Sequence, residues 1–387
     1  ERIPFVSYPY EWTFGMLRDA ASLQLTLLLE ALAAGFTLKD SSPYNIQFHG
    51  ARPVFIDVGS FERLAPGEPW VGYLQFCQLF LYPLMLTSLK GVPFQPLLRG
   101  SIDGIPVATM SRFFSARDWL RPGVFADVVL HAKLQAGSAG SKRAVRREVG
   151  SSGFSREMIA TNVRRLLGIV SKLRWNAAGS EWSEYATDNS YDAADDEAKK
   201  SFVARAAGSR RWERAWDLGS NTGTYARIAA AHADCTVAMD ADALSIDRLY
   251  AELRREERRD ILPLVANVVD PSPGLGWRGR ERLPAADRGR PDHTLRRALP
   301  HHLVLTGNVP VSEVVDWLAE PGGHLVIEFV DKRDPMAARL LLNKSDNYAD
   351  YERDEFERLL GGRFELLDRL ELRNGTRTLY FARAKAR

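Results

Sequence analysis

Hydrophobic positions along the chain repeat with two periods, and the change from one to the other divides it. In the first third, apolar residues from Leu23 to Ala34 recur at helical spacing, and Phe76–Leu89 is an unbroken apolar run that predicts a buried helix. A short strand at Val54–Ile56 and a helix around Met158–Leu173 complete this part. Beyond it, strands alternate with helices. Arg214–Leu218, Cys235–Met239, Ile261–Ala266 and His324–Val330 read as buried strands, with helices at Tyr225–Ala231 and through Leu249. That alternation predicts an α/β doubly wound, Rossmann-like sheet. Phe364–Leu372 and Thr378–Ala384, joined by Asn374-Gly375, predict a closing antiparallel hairpin. Between Ala136 and Arg211 the pattern dissolves into a Gly/Ser-rich stretch and the acidic WSEYATDNSYDAADDEAKK. The expected units are therefore 1–135, a connecting region 136–200, and 201–387.

Composition narrows the class. The chain has 387 residues, 26% of them charged, and a net charge of +3, so nothing global points to nucleic acid. The Arg-rich runs Lys142–Arg147 and Arg254–Arg259 read as solvated faces. Cys77 and Cys235 lack partners at zinc spacing and read as buried thiols, which places the chain in a reducing, cytoplasmic compartment. No stretch is long and apolar enough to predict a membrane span. The chain opens at Glu1 directly into ERIPFVSYPYEW, which reads as the middle of a domain and suggests a fragment.

The densest chemistry lies in the second unit. Strand Arg214–Leu218 runs into DLGSNTGTY, where Gly219 and Gly223 permit positive φ and close approach of a ligand to the backbone. The following helix N-terminus could receive a carboxylate. Asp240 ends the next strand about twenty residues after the Gly-rich turn, where a carboxylate takes both hydroxyls of a ribose; its alternative is a helix N-cap. Asp242 is the fallback for the ribose. Asn267, closing the third strand, either reads an adenine edge or serves as a turn residue.

The order of these motifs resembles class I S-adenosylmethionine-dependent methyltransferases: DLGSNTG, VAMDAD, LVANVVD and the final FELLDRLELRNGTRTLYFARA. The resemblance implies a seven-stranded sheet with a terminal hairpin, S-adenosylmethionine as cofactor and a small-molecule methyl acceptor. Asp217, Gly219, Asn221, Gly223, Asp240 and Asn267 would hold the cofactor. Over nearly the whole chain, LKDSSPYNIQFHGARPVFIDVGSFE, PWVGYLQFCQLFLYPL, DPSPGLGW, ALPHHL, GNVP and LVIEFVDK are similar to the methyltransferases among the rhizobial host-specific nodulation proteins. His301 and His302 would follow the fourth strand and face the transferring methyl, as base or as structural residues. Glu328 would orient a base or acceptor, or be satisfied by a core arginine. The Asn-Pro-Pro-Tyr motif of adenine and glutamine N-methyltransferases is absent. One departure is the fourth strand, where Arg296 and Arg297 suit a double-sided core poorly, so it is expected to be short, exposed or impaired. Trp182, Tyr185 and Tyr191 could form a lid over the sulfonium or dock the linker.

In the first unit, Asp40-Ser-Ser-Pro-Tyr-Asn45, a strand and Asp57-Val-Gly59 resemble the catalytic and metal-binding loops of protein-kinase-like enzymes. The unit is thus expected to be mostly helical, like a kinase large lobe. The resemblance implies Asp40 as proton acceptor, with Asn45 and Asp57 holding magnesium. Leu38 and Lys39 stand where that family has His and Arg, and no Gly-rich loop or small lobe is present, which favours a scaffold over active phosphotransfer.

Overall fold

The computed structural model describes residues 2–138, 153–175, 193–296, 299–342 and 348–386. Lys142–Arg147, Trp182, Tyr185, Tyr191 and Arg297 lie outside the described residues. The chain separates into two compact units, one of residues 7–48 and 53–178, the other of 1–6, 49–52 and 179–387.

The first of these is mostly helical. Helix α1 (Phe14–Ala33) starts where the Thr13 hydroxyl accepts the Met16 N–H at 3.1 Å, satisfying one of the donors a helix start leaves open. The apolar run from Phe76 forms a π-helical turn at Cys77–Leu81 followed by α2 (Tyr82–Lys90), buried as far as Thr87 except at Gln78. Helix α3 (Arg156–Val170), the one predicted around Met158–Leu173, packs on α1. Two small hairpin-like pairs, β1 (Phe36–Leu38) with β4 (Phe61–Arg63) and β2 (Ile46–His49) with β3 (Arg52–Phe55), carry the Asp40–Asp57 loops.

The other unit opens with α4 (Ala193–Ala207) and builds a seven-stranded sheet: β5 (Trp212–Leu218), β6 (Ala233–Asp240), β7 (Ile261–Val265), β8 (His293–Arg296), β9 (His324–Val330), β10 (Phe364–Glu371) and β11 (Arg377–Ala384). Its order is β10-β11-β9-β8-β5-β6-β7, with every pair parallel except those made by β11. This is the strand order of class I methyltransferases, and the terminal antiparallel hairpin is present as expected. Helices α5 (Thr224–Ala230) and α6 (Ala243–Arg255) follow β5 and β6. The sheet buries both faces. Trp212, Ala215, Leu295 and Val326 pack with Phe202 of α4 and Tyr225 of α5, while Leu303, Ile327, Phe329 and Tyr380 pack with α7 (Val311–Ala319) and α9 (Arg353–Arg363) on the other side. Helix α8 (Pro335–Leu341) follows β9. Edge strand β10 exposes Glu365, Asp368, Arg369 and Glu371, charges that blunt pairing with another chain.

Of the alternatives expected for the fourth strand, the structure shows the short one rather than the exposed one. β8 is short, four residues, but all four are buried. Arg296 is 1% exposed, with its guanidinium 3.8 Å from the Trp317 ring centroid. The cation lies on an aromatic face, and burial pushes its pKa down to about 9.

Candidate functional site

The glycine-rich turn is fixed by hydrogen bonds to the neighbouring strand. Gly219 and Ser220 N–H groups both donate to the Met239 carbonyl, at 2.9 and 3.0 Å, so the turn rides on the carboxyl end of β6. Gly219 (φ 78°), Asn221 (φ 49°) and Gly223 (φ 82°) occupy the left-handed region. Gly223 must also be small, because a Cβ there would fall 2.5 Å from Leu249 Cδ1 on α6. Asp217, at the end of β5, is fully buried.

Asp240 ties the turn to the second strand. One carboxylate oxygen accepts the Asn221 N–H and the other the Asp242 N–H, both at 2.9 Å. Burial pushes its pKa up. Asp242 is spent on α6: it accepts the Leu244 N–H at 3.0 Å and the Ser245 hydroxyl at 2.8 Å. The N-cap role considered for Asp240 thus falls to Asp242. Asn267 uses its side-chain carbonyl to accept the Val269 N–H at 3.0 Å, a turn role. Helix α5 has only seven residues, which limits the anion-attracting field expected of its N-terminus.

His301 caps a π-helical turn that His302 opens (His302–Thr306), and their ring centroids lie 4.2 Å apart. His301 is 2% exposed, and its Nδ1 has no partner. Burial drives its pKa well below the ordinary imidazole value, and the charges of His302, Arg377 and Lys199 push the same way. His302 is lowered to about 4, by burial and then by Arg377.

Glu328 is held by cations rather than left open. Lys199 Nζ on α4 lies 2.5 Å from Glu328 Oε1, and Arg377 reaches the same oxygen at 3.3 Å. Arg377 also grips Asp334 through two hydrogen bonds of 2.6 and 2.8 Å, and Thr376 donates to that carboxylate at 2.9 Å. Sequence reasoning missed Lys199, Asp334 and Arg377 as members of this group. The signal available was a charge heading the apolar run of the last strand; Lys199 gave none, since it stands in an acidic, low-pattern segment.

In the helical unit, Asn45 Nδ2 donates to Ser60 Oγ at 3.2 Å, and the Ser60 hydroxyl donates to Asp57, so Asn45 and Asp57 meet through a serine not singled out from sequence. The main-chain carbonyl of Asp40 accepts from Gln24 Nε2 at 3.1 Å. Among the described residues, no three His, Cys, Asp or Glu side chains gather as a metal-binding group. No described helix is long and apolar enough to cross a membrane.

Compared with known proteins, the chain is 32% identical over 377 residues to the nodulation protein NoeA of Rhizobium meliloti (strain 1021), covering 97% of this chain and 79% of that relative. No family model matches. Among solved structures, the N-methyltransferase NodS from Bradyrhizobium japonicum WM9 in complex with S-adenosyl-L-homocysteine is 13% identical, with 54% of this chain and 94% of that chain covered and a TM-score of 0.38. A SAM-dependent methyltransferase from Aquifex aeolicus is 14% identical, with 54% and 100% covered and a TM-score of 0.36.

Proposed function

The chain belongs to the family of the nodulation protein NoeA, and from that premise we propose that its sheet unit is an S-adenosylmethionine-dependent methyltransferase acting on a small-molecule acceptor. The observation that carries this reading is the Asp240 carboxylate bound to the backbone of the glycine-rich turn, within a sheet of methyltransferase strand order. The residues fit the cofactor. Ser220 Oγ and Asn221 Oδ1 are buried without partners beside that turn, and a buried polar atom left unpaired costs about 1–3 kcal/mol, which a polar ligand recovers.

Asp217, Gly219, Asn221 and Gly223 would hold the amino-acid end, Asp240 the ribose hydroxyls, and the Asn267 amide the adenine edge. When bound, the cofactor supplies a methyl group on a sulfonium, open to in-line attack. The chain's task is then alignment and proton removal. His301 has a buried nitrogen without a partner, and it is the residue we assign to take the acceptor's proton, with His302 beside it. Glu328, paired with Lys199 and Arg377, would orient the base or the acceptor rather than act as a base itself.

Thermal unfolding with S-adenosylhomocysteine tests the reading. A ligand at 100 times its Kd adds about 2.7 kcal/mol, a shift of several degrees. Wild type is expected to shift and Asp240→Ala not to; no shift in wild type overturns the proposal. A second reading rests on Asn45 and Asp57 meeting through Ser60: a magnesium-nucleotide site in the helical unit, as remnant or scaffold. Magnesium ATP in the same assay supports it only if Asp57→Asn abolishes the shift.

A further inference from the structure

Between Gly104 and Ser138 the helical unit carries two carboxylates, Asp118 and Asp127, and four cations, Arg112, Arg117, Arg121 and Lys133. Both carboxylates are buried and already paired. Asp118 accepts from Lys90 Nζ at 2.7 Å and from the Ser115 N–H at 2.8 Å. Asp127 is gripped by Arg165 of α3 through hydrogen bonds of 2.6 and 2.7 Å, and it accepts the Tyr73 hydroxyl at 2.7 Å. Arg121 stands 3.5 Å from Asp118, a second cation on a carboxylate that Lys90 already matches. All four cations of the stretch are exposed, so the charge it turns to solvent is of one sign.

Apolar side chains share that surface. Gly123, at φ 81°, starts a π-helical turn at Val124–Leu130 that continues as the helix His131–Ser138. Val124, Val128 and Val129 enter the core, while Phe125, Leu130 and Leu134 are exposed. Steps of five residues through the π-helical turn and four through the α-helix set these three along one side. Trp119, exposed on the neighbouring turn Ala116–Leu120, has its ring centroid 5.9 Å from that of Phe125, and Lys133 Nζ stands 5.8 Å from the Trp119 ring. The next residue, Leu120, is 93% exposed. Apolar groups gathered in water in this way mark an interaction surface.

The mixture decides the partner. Tryptophan, phenylalanine and leucine alternate with cations, and no free carboxylate of the stretch stands among them. An anionic bilayer offers both halves of the complement: acyl chains for the apolar groups and phosphates for the cations. The indole suits the boundary between them, having an apolar body and a polar N–H. We propose that this face of the helical unit docks on an anionic lipid bilayer. Trp119, Leu120, Phe125 and Leu134 enter the headgroup boundary, and Arg117, Arg121 and Lys133 take lipid phosphates. The contact is peripheral, and it involves none of the residues assigned to the cofactor or to methyl transfer.

The test is co-sedimentation of the whole chain with vesicles of phosphatidylcholine alone and of phosphatidylcholine mixed with phosphatidylglycerol. The chain is expected to sediment with the mixed vesicles, far less with the neutral ones, and less again as salt rises. Leu120→Glu removes an exposed side chain that packs on nothing, so the variant should fold, with an unchanged urea midpoint, and bind the mixed vesicles about tenfold or more weakly. Arg117→Glu combined with Lys133→Glu should do the same. No sedimentation with the mixed vesicles, equal sedimentation with neutral ones, or binding that Leu120→Glu leaves unchanged overturns the proposal. Self-association by analytical ultracentrifugation that Leu120→Glu abolishes, without vesicle binding, assigns the face to a second copy of the chain and overturns it too. Should the double variant not fold, Leu120→Glu and the salt dependence carry the comparison.

Discussion

Glu328 is 1% exposed, in the middle of a strand whose other described neighbours are apolar, and it persists there because Lys199 and Arg377 share its oxygen. Charges this deep are tolerated only as a set: removing one member strands the others without solvent. Glu328→Gln is therefore expected to cost about 3–5 kcal/mol, read as a lower urea midpoint at unchanged slope. A cost under about 1 kcal/mol would mean that water reaches the group and that Glu328 is available for chemistry after all. Lys199→Met should behave similarly, because it removes a cation 2.5 Å from the buried Glu328 carboxylate.

Elements were legible in proportion to how far local pattern decided them. β9 runs from His324 to Val330 as its mostly apolar run indicated, and Asn374-Gly375 turns the last hairpin with Gly375 at φ 68°. The glycine-rich turn and Asp240 were readable because loop chemistry and strand ends are local. β8 is short, one of the alternatives its arginines indicated, but its burial was not legible, since an arginine in a strand signals exposure unless a distant ring receives it, and Trp317 stands twenty-one positions further along on α7. The Lys199–Glu328 pair likewise joins residues far apart in the chain, and no periodicity announces such a meeting. At this scale Gly223→Ala is the informative change. It places a Cβ in the left-handed region and 2.5 Å from Leu249, so a stability loss of about 1–3 kcal/mol is expected, with weaker S-adenosylhomocysteine binding. Unaltered melting and binding would show that the turn adjusts without needing glycine.

For the whole molecule, buried imidazoles set the response to acid. His293 is fully buried, stacked 4.7 Å from Trp212, and lowered to about 3 by burial, with His324 adding to the effect. His301 and His302 are lowered as well. Each is neutral when folded, whereas an unfolded histidine takes a proton near pH 6.5. Their stabilisation is complete above that pH and drains away as pH falls from 6.5 toward about 3, the folded value for His293. Each contributes a slope of up to about 1.4 kcal/mol per pH unit. Urea midpoints should thus fall steeply between about pH 6 and 5, where carboxylates have yet to titrate, and His293→Phe should shallow the slope. A flat profile there would mean that these rings protonate in place.

The position of β11 has a consequence for how the protein is made. β11 is synthesised after β10 yet lies between it and β9. While residues 331–376 leave the ribosome, β9 presents an unpaired apolar edge, and β10 has no strand to join. Closure waits for β11, so nascent chains held short of it carry an open, sticky border. Ribosome stalling or a late frameshift should therefore yield aggregated rather than merely truncated product.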